Sequence, residues 1–188
     1  VFVTDYAGHP SDWTSLKKLK YKYNFFLICD NCHAFGSKIK NRIDYASKHA
    51  DAVSLSFHPV KHITTGEGGA ILTNNKKIYD VSKLKRSHAI ERSKKFAPWD
   101  YQIKMTGYNY RLSDINAALG VSQLKKINKF ILYRRKVAKK YNNFFKNFEC
   151  CEIPIEKKNY YHSYHLYPLK INFKKLKINK RKIFEYFF

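Results

Sequence analysis

The chain has 188 residues, a formal charge of +23, and 44% apolar and 16% aromatic residues. That composition is too apolar for a disordered chain and long enough for one domain with a true core, or for one domain and part of another. No run of about 18 apolar residues exists to span a bilayer, so no membrane partner is expected. The lysines are spread along the whole chain rather than gathered into an arginine-bearing stripe. This argues against a specific nucleic-acid partner and favours an acidic small substrate, such as a phosphate ester or a sugar nucleotide. No basic and apolar leader is visible at Val1, so the expected compartment is the cytosol. The four cysteines, Cys29, Cys32, Cys150 and Cys151, are too few for a disulfide scaffold and are expected to be reduced.

Val1 to Tyr6 reads as a short strand ending near Asp5, and Gly8-His9-Pro10 marks a turn. Ser11 or Asp12 can cap a helix running to about Tyr23, with Trp13, Leu16, Leu19 and Tyr23 on one face. Phe25 to Ile28 is an unbroken apolar run, which predicts a strand buried on both faces. Strand, helix and strand in that order predict a parallel crossover and an α/β fold. The second strand delivers Cys29-Asp30-Asn31-Cys32-His33. As written, the CxxCH pattern suggests haem attachment, zinc or redox chemistry, but there is no second CxxC and the motif ends a buried strand. The preferred reading makes the cysteines small buried hydrophobes, assigns no metal, and singles out Asp30, a carboxylate at the carboxyl end of a strand where α/β sheets bind ligands.

Asp44 to Ala46 predicts a short helical turn. Ala52 to Phe57 alternates apolar and polar residues as a strand, a loop holding Lys61 follows, and Gly66, Gly68 and Gly69 lead into a returning strand over Ala70 to Thr73. Lys76 to His88 predicts a helix, and 92 to 106 an irregular stretch around Pro98 and Trp99. Ser113 is a good N-cap for one very long helix to about Phe145, with a kink near Gly120. Tyr160 to Ile171 predicts a new strand-forming unit, and 179 to 188 a basic helix whose final aromatics would leave apolar surface.

Four blocks now carry a resemblance: Tyr6 to Pro10, Asp30 to Gly36, Ser56 to Gly69 (SFHPVKHITTGEGG) and Gly107 to Gln123. They resemble the DegT/DnrJ/EryC1/StrS sugar-nucleotide aminotransferases, pyridoxal-phosphate enzymes of the aspartate aminotransferase fold. The Ser56 block and His165 to Pro168 are most similar to the enzymes that aminate a UDP-4-keto-6-deoxy sugar on the way to pseudaminic acid. The resemblance implies an α/β large domain with a mixed sheet over 1–148, including a long interdomain helix, and the start of a small α+β domain over 149–188. It implies that Lys61 forms a Schiff base with the cofactor aldehyde and shuttles the proton, that Asp30 pairs with the pyridinium nitrogen, and that His33 lies against the ring or its phenolic oxygen. Ser56 would bind the phosphate, and Asn109 would reach the neighbouring subunit's site in a homodimer. L-glutamate is the implied amino donor. The resemblance covers about half of a family member and leaves out the upstream loop that cups the phosphate. These residues alone are therefore expected to lack full activity, with an inactive dimerisation or binding fragment, or another keto sugar, as alternatives.

Overall fold

The computed structural model describes residues 1–92, 97 and 99–187, with the side chain of residue 187 excepted. In chain order the elements are β1 (Phe2–Thr4), a 3-10 turn (Tyr6–Gly8), α1 (Trp13–Tyr23), β2 (Ile28–Asp30), β3 (Lys38–Ile39), β4 (Ala52–Ser56), β5 (Gly69–Leu72), α2 (Lys76–Arg86), β6 (Ile90–Glu91) and β7 (Gln102–Ile103). Next come α3 (Asp114–Leu124), α4 (Ile127–Phe145), β8 (Cys151–Glu152), β9 (Tyr160–Tyr161), β10 (Lys170–Ile171), α5 (Phe173–Leu176) and α6 (Lys180–Phe187). Pro98 and Phe188, noted in the sequence, lie outside the described residues.

The main sheet has the order β1-β2-β4-β5, with β1, β2 and β4 parallel and β5 antiparallel at the edge. It is the mixed α/β sheet expected, and α1 is the crossover between its first two strands. Asp12 caps α1 by accepting from the Ser15 amide at 3.1 Å, and Asn24 closes it in the left-handed conformation. Trp13 and Leu16 pack with Leu27, Cys29, Tyr45 and Val53 in the core. Leu19 and Tyr23, expected on the same buried face, are exposed.

Three further expectations are corrected. The second strand starts at Ile28 rather than Phe25, because its partner β1 begins only at Phe2, opposite Ile28; Phe26 is 68% exposed. The long helix is two helices that break at Lys125 and Lys126, where Lys126 has φ −102° and ψ −5°, while Gly120 lies within α3. A Cβ at Gly120 would stand 2.8 Å from Thr65 Cγ2, so that glycine lets α3 approach the lysine loop. Tyr160 to Ile171 contributes two-residue strands at either end, β9 on β3 and β10 on β8, and between them an irregular strap that buries His162, Ser163 and Tyr164.

The strap is sewn to the sheet end by backbone bonds. The Ser163 amide donates to Gly8 O at 3.0 Å and the Leu166 amide to Ala7 O at 3.2 Å. Gly8 has φ +105°, and a Cβ there would lie 2.6 Å from Ser163 Oγ and 2.8 Å from the Tyr164 nitrogen. Gly8→Ala is expected to cost about 2 kcal/mol or more by combining a disfavoured φ with a lost seam. A denaturation midpoint equal to that of the unsubstituted chain would show the seam to be unimportant.

Candidate active site

The β4–β5 connection holds Lys61 on a loop tied to itself. Phe57 donates to Gly68 O at 2.8 Å, Thr65 N and Thr64 Oγ1 both donate to Phe57 O at 3.0 Å, and the Lys61 amide donates to His58 O at 3.0 Å. His62 is buried behind the lysine and its Nε2 donates to Ser163 O at 3.3 Å. Loop and strap therefore fix each other, and Lys61 lies in the lining of a cavity of about 660 Å³.

Asp30 ends the neighbouring strand and accepts from the Cys32 amide at 3.0 Å. Burial pushes its carboxyl up, but the Cys32 hydrogen bonds and the charges of His33 and Lys61 outweigh that and hold it below the usual carboxylate range. Burial and the Lys61 charge lower His33, whose ring lies 4.6 Å from that of His165, centroid to centroid. His165 is in turn 5.4 Å from His62. Burial, with the charges of His33, Lys61 and Arg134, lowers His165 to about 4. The structure thus brings Lys61, Asp30 and His33 within electrostatic reach of one another and adds two residues the sequence reading missed, His62 and His165. Sequence alone offered only the His165-Leu166-Tyr167-Pro168 motif as a pointer, with nothing to place it beside Lys61.

Ser56 sits at the end of β4 opposite Gly69, and its hydroxyl accepts from the His58 amide at 3.4 Å. Asn109 is exposed, bridged to Ser87, and its side-chain oxygen accepts from Arg111 Nε at 3.0 Å. The structure does not bring Asn109 to the Lys61 cluster of its own chain. All four cysteines are free, and no group of three or more metal-ligating side chains occurs among the described residues. Burial and then Asp30 push the Cys32 thiol up to about 11, and burial pushes Cys29 higher still, so neither is poised as a nucleophile.

Comparison with known proteins places this arrangement. The profile of the DegT/DnrJ/EryC1/StrS aminotransferase family matches residues 1–187. The chain belongs to that family. It is 39% identical over 188 residues to the UDP-4-amino-4,6-dideoxy-N-acetyl-beta-L-altrosamine transaminase of Campylobacter jejuni serotype O:2, covering 98% of this chain and 48% of that protein. The structure of Helicobacter pylori PseC, an aminotransferase involved in pseudaminic acid biosynthesis, superposes with a TM-score of 0.86 at 34% identity, covering 97% of this chain and 47% of that one. Aminotransferase Spr1654 of Streptococcus pneumoniae, solved in a PLP-form, shares the fold at 24% identity with a TM-score of 0.78, covering 90% of this chain and 47% of that one. The chain spans about half the length of the curated relatives it matches. Pyridoxal phosphate is the cofactor of this family of aminotransferases.

The site's own chemistry fits that cofactor. Lys61 offers an amine, Asp30 a carboxylate held ionised, and His33 and His165 each present a buried Nδ1 that has no hydrogen-bond partner among the described residues. A buried polar atom without a partner is open to one supplied by a ligand or by water.

The buried imidazoles also set a pH dependence. Burial lowers His62 to about 3 and His162 to about 4, whereas in the unfolded chain both titrate near 6.5. The unfolded state therefore binds more protons throughout that window, and stability falls as pH drops below 6.5. Each ring contributes at most about 1.4 kcal/mol per pH unit and about 2 kcal/mol over this interval, so we expect the free energy of unfolding at pH 5 to lie on the order of 4 kcal/mol below that at pH 7.5. Equal stability at the two pH values by urea denaturation would contradict the placement of both rings.

Proposed function

We propose that this chain carries the lysine side of the active site of a pyridoxal-phosphate aminotransferase that delivers an amino group from L-glutamate to C4 of a UDP-linked 4-keto-6-deoxy sugar, working in the cytosol. The observation that carries the reading is that Asp30 and His33 lie within electrostatic reach of Lys61, itself in the lining of a cavity, in a chain 39% identical to a sugar-nucleotide transaminase.

When bound, pyridoxal phosphate supplies an aldehyde for the amine and a ring that takes up electrons. Asp30 holds a negative charge where the ring nitrogen would lie, so that nitrogen keeps its proton. Lys61 would be the covalent anchor and the amine that moves a proton at the reacting carbon. His33 would lie against the ring, and Ser56 would donate its hydroxyl to the phosphate. The tied loop keeps Lys61 from swinging out of register.

We further propose a division into a large-domain portion over 1–148 and the start of a small domain over 149–188. We also propose a homodimer in which Asn109 serves the neighbouring site. Its exposure fits that role.

The test uses a hybrid in which this chain replaces the matching half of a family relative, supplies pyridoxal phosphate, 15N-labelled L-glutamate and a UDP-4-keto-6-deoxy-N-acetylhexosamine, and follows the sugar nucleotide by mass spectrometry. A 15N-labelled 4-amino sugar is expected. Recovery of unchanged keto sugar from protein that has taken up the cofactor would refute the assigned substrate.

A further inference from the structure

The chain holds two pairs of cysteines close in sequence, and the structure treats them oppositely. In Cys29-Asp30-Asn31-Cys32 the spacing is that of a chelating pair, yet the thiols are spent apart. Cys29 Sγ is fully buried and donates to Asp5 Oδ2 at 3.7 Å, while Cys32 Sγ lies 3.9 Å from both the carbonyl oxygen and the hydroxyl of Ser54. Cys150 and Cys151 are adjacent, which in a regular strand would send their side chains to opposite faces. They escape that alternation because only Cys151 belongs to β8; Cys150 lies in the turn before it, closed by the Cys151 amide donating to Phe148 O at 2.9 Å. Their sulfurs consequently meet at 3.8 Å, both free and both half-buried. The backbone of each is tied down: the Asn172 amide donates to Cys150 O at 2.7 Å, and Cys151 pairs with Ile171 of β10. Two thiols are thus held together on a fixed frame, so little freedom is lost when both engage one ligand.

We propose that Cys150 and Cys151 form a dithiol site for a trivalent arsenical of the type R–As=O. The span between the sulfurs selects the ligand. A disulfide needs its sulfurs about 2.05 Å apart, well inside the separation this frame sets. One soft atom bonded to each sulfur at about 2.3 Å, the zinc–thiolate length, bridges 3.8 Å at close to the tetrahedral angle. Structural zinc takes four ligands, and among the described residues no group of three or more candidate ligands exists. Arsenic that already carries one organic group needs only the two sulfurs. In the step, both S–H bonds and the As=O bond break, two S–As bonds form, and the oxygen leaves as water with the two protons. Arsenic stays trivalent and the sulfurs keep their oxidation level, so no oxidant is required. Neither cysteine lines the Lys61 cavity, and the site stands apart from the aminotransferase reading.

The experiment incubates the reduced chain with phenylarsine oxide and follows the adduct by mass spectrometry. Cys150→Ser and Cys151→Ser are the test variants. Cys32→Ser is the control, because Cys32 is a partly exposed thiol outside the pair, and each variant's denaturation midpoint is measured alongside. A single adduct is expected on the peptide that holds both cysteines, with the mass of phenylarsine oxide less one water. Each test variant should weaken binding at least about 10²-fold through loss of the intramolecular second bond, and Cys32→Ser less than about twofold. The unsubstituted chain supplies a second readout that needs no variant to fold: excess mercaptoethanol, a monothiol, should leave the adduct in place, and dithiothreitol should remove it. An adduct as tight in either test variant as in the unsubstituted chain, one mapped to Cys29 or Cys32, or one stripped by the monothiol overturns the site.

Discussion

Replacing Asp5 by alanine is expected to destabilise the chain by on the order of 3–5 kcal/mol, enough to unfold a domain of ordinary stability. Asp5 is fully buried, and four donors converge on its carboxylate: the Ser11 amide at 2.7 Å, Trp13 Nε1 at 3.0 Å, Asn31 Nδ2 at 2.8 Å and Tyr45 Oη at 2.8 Å. Alanine would leave Trp13 Nε1 without an acceptor in a dry core and would reduce Asn31 Nδ2 and Tyr45 Oη to the bonds they make with each other and with Ser37. Burial still raises the Asp5 carboxyl above its ordinary value despite those bonds, so Asp5→Asn is expected to cost less than alanine while orienting its amide against two of the donors. The consequence reaches the site, because Asn31 follows Asp30 directly. Loss of the Asp5 contact frees the turn that aims Asp30 and His33. Urea denaturation of both variants measures the effect, and a loss below about 1 kcal/mol for Asp5→Ala would mean that water satisfies the donors.

The second large effect is chemical. Asp30→Ala is expected to lower amino transfer about 10²–10³-fold, the cost of removing one preorganised charged partner from a desolvated site. Covalent labelling of Lys61 should survive, since Asp30 makes no hydrogen bond to the lysine amine. A rate within about threefold of the unsubstituted protein, set against the losses typical of such partners, would remove Asp30 from the ring nitrogen.

What could be read from the sequence followed the range of the interactions. The β4–Lys61–β5 unit was legible because its alternation, loop glycines and lysine are contiguous, and the hydrogen bonds that rigidify it are local. Asp30 was legible as a strand-end carboxylate. Asp5 was seen only as the end of a strand, because the donors around it come from Ser11, Trp13, Asn31 and Tyr45, up to 40 positions away. His165 and Arg134 escaped for the same reason: the strap reaches His62 across 101 positions and His33 across 130. The break at Lys125 and Lys126 was hidden by a helical spacing of apolar residues that continues across it with neither glycine nor proline to mark it. Phe25 and Phe26 were misplaced because strand length here is set by the short partner β1 rather than by their own apolar character.

The central claim is that Lys61 is the residue that engages pyridoxal phosphate. The direct measurement is to incubate the chain with the cofactor, reduce with borohydride, digest, and locate the pyridoxyl group by mass spectrometry. The account predicts a single dominant label at Lys61, absent from Lys61→Ala and undiminished in Lys139→Glu. Labelling scattered over the surface lysines, or persisting at the same level in Lys61→Ala, would contradict it.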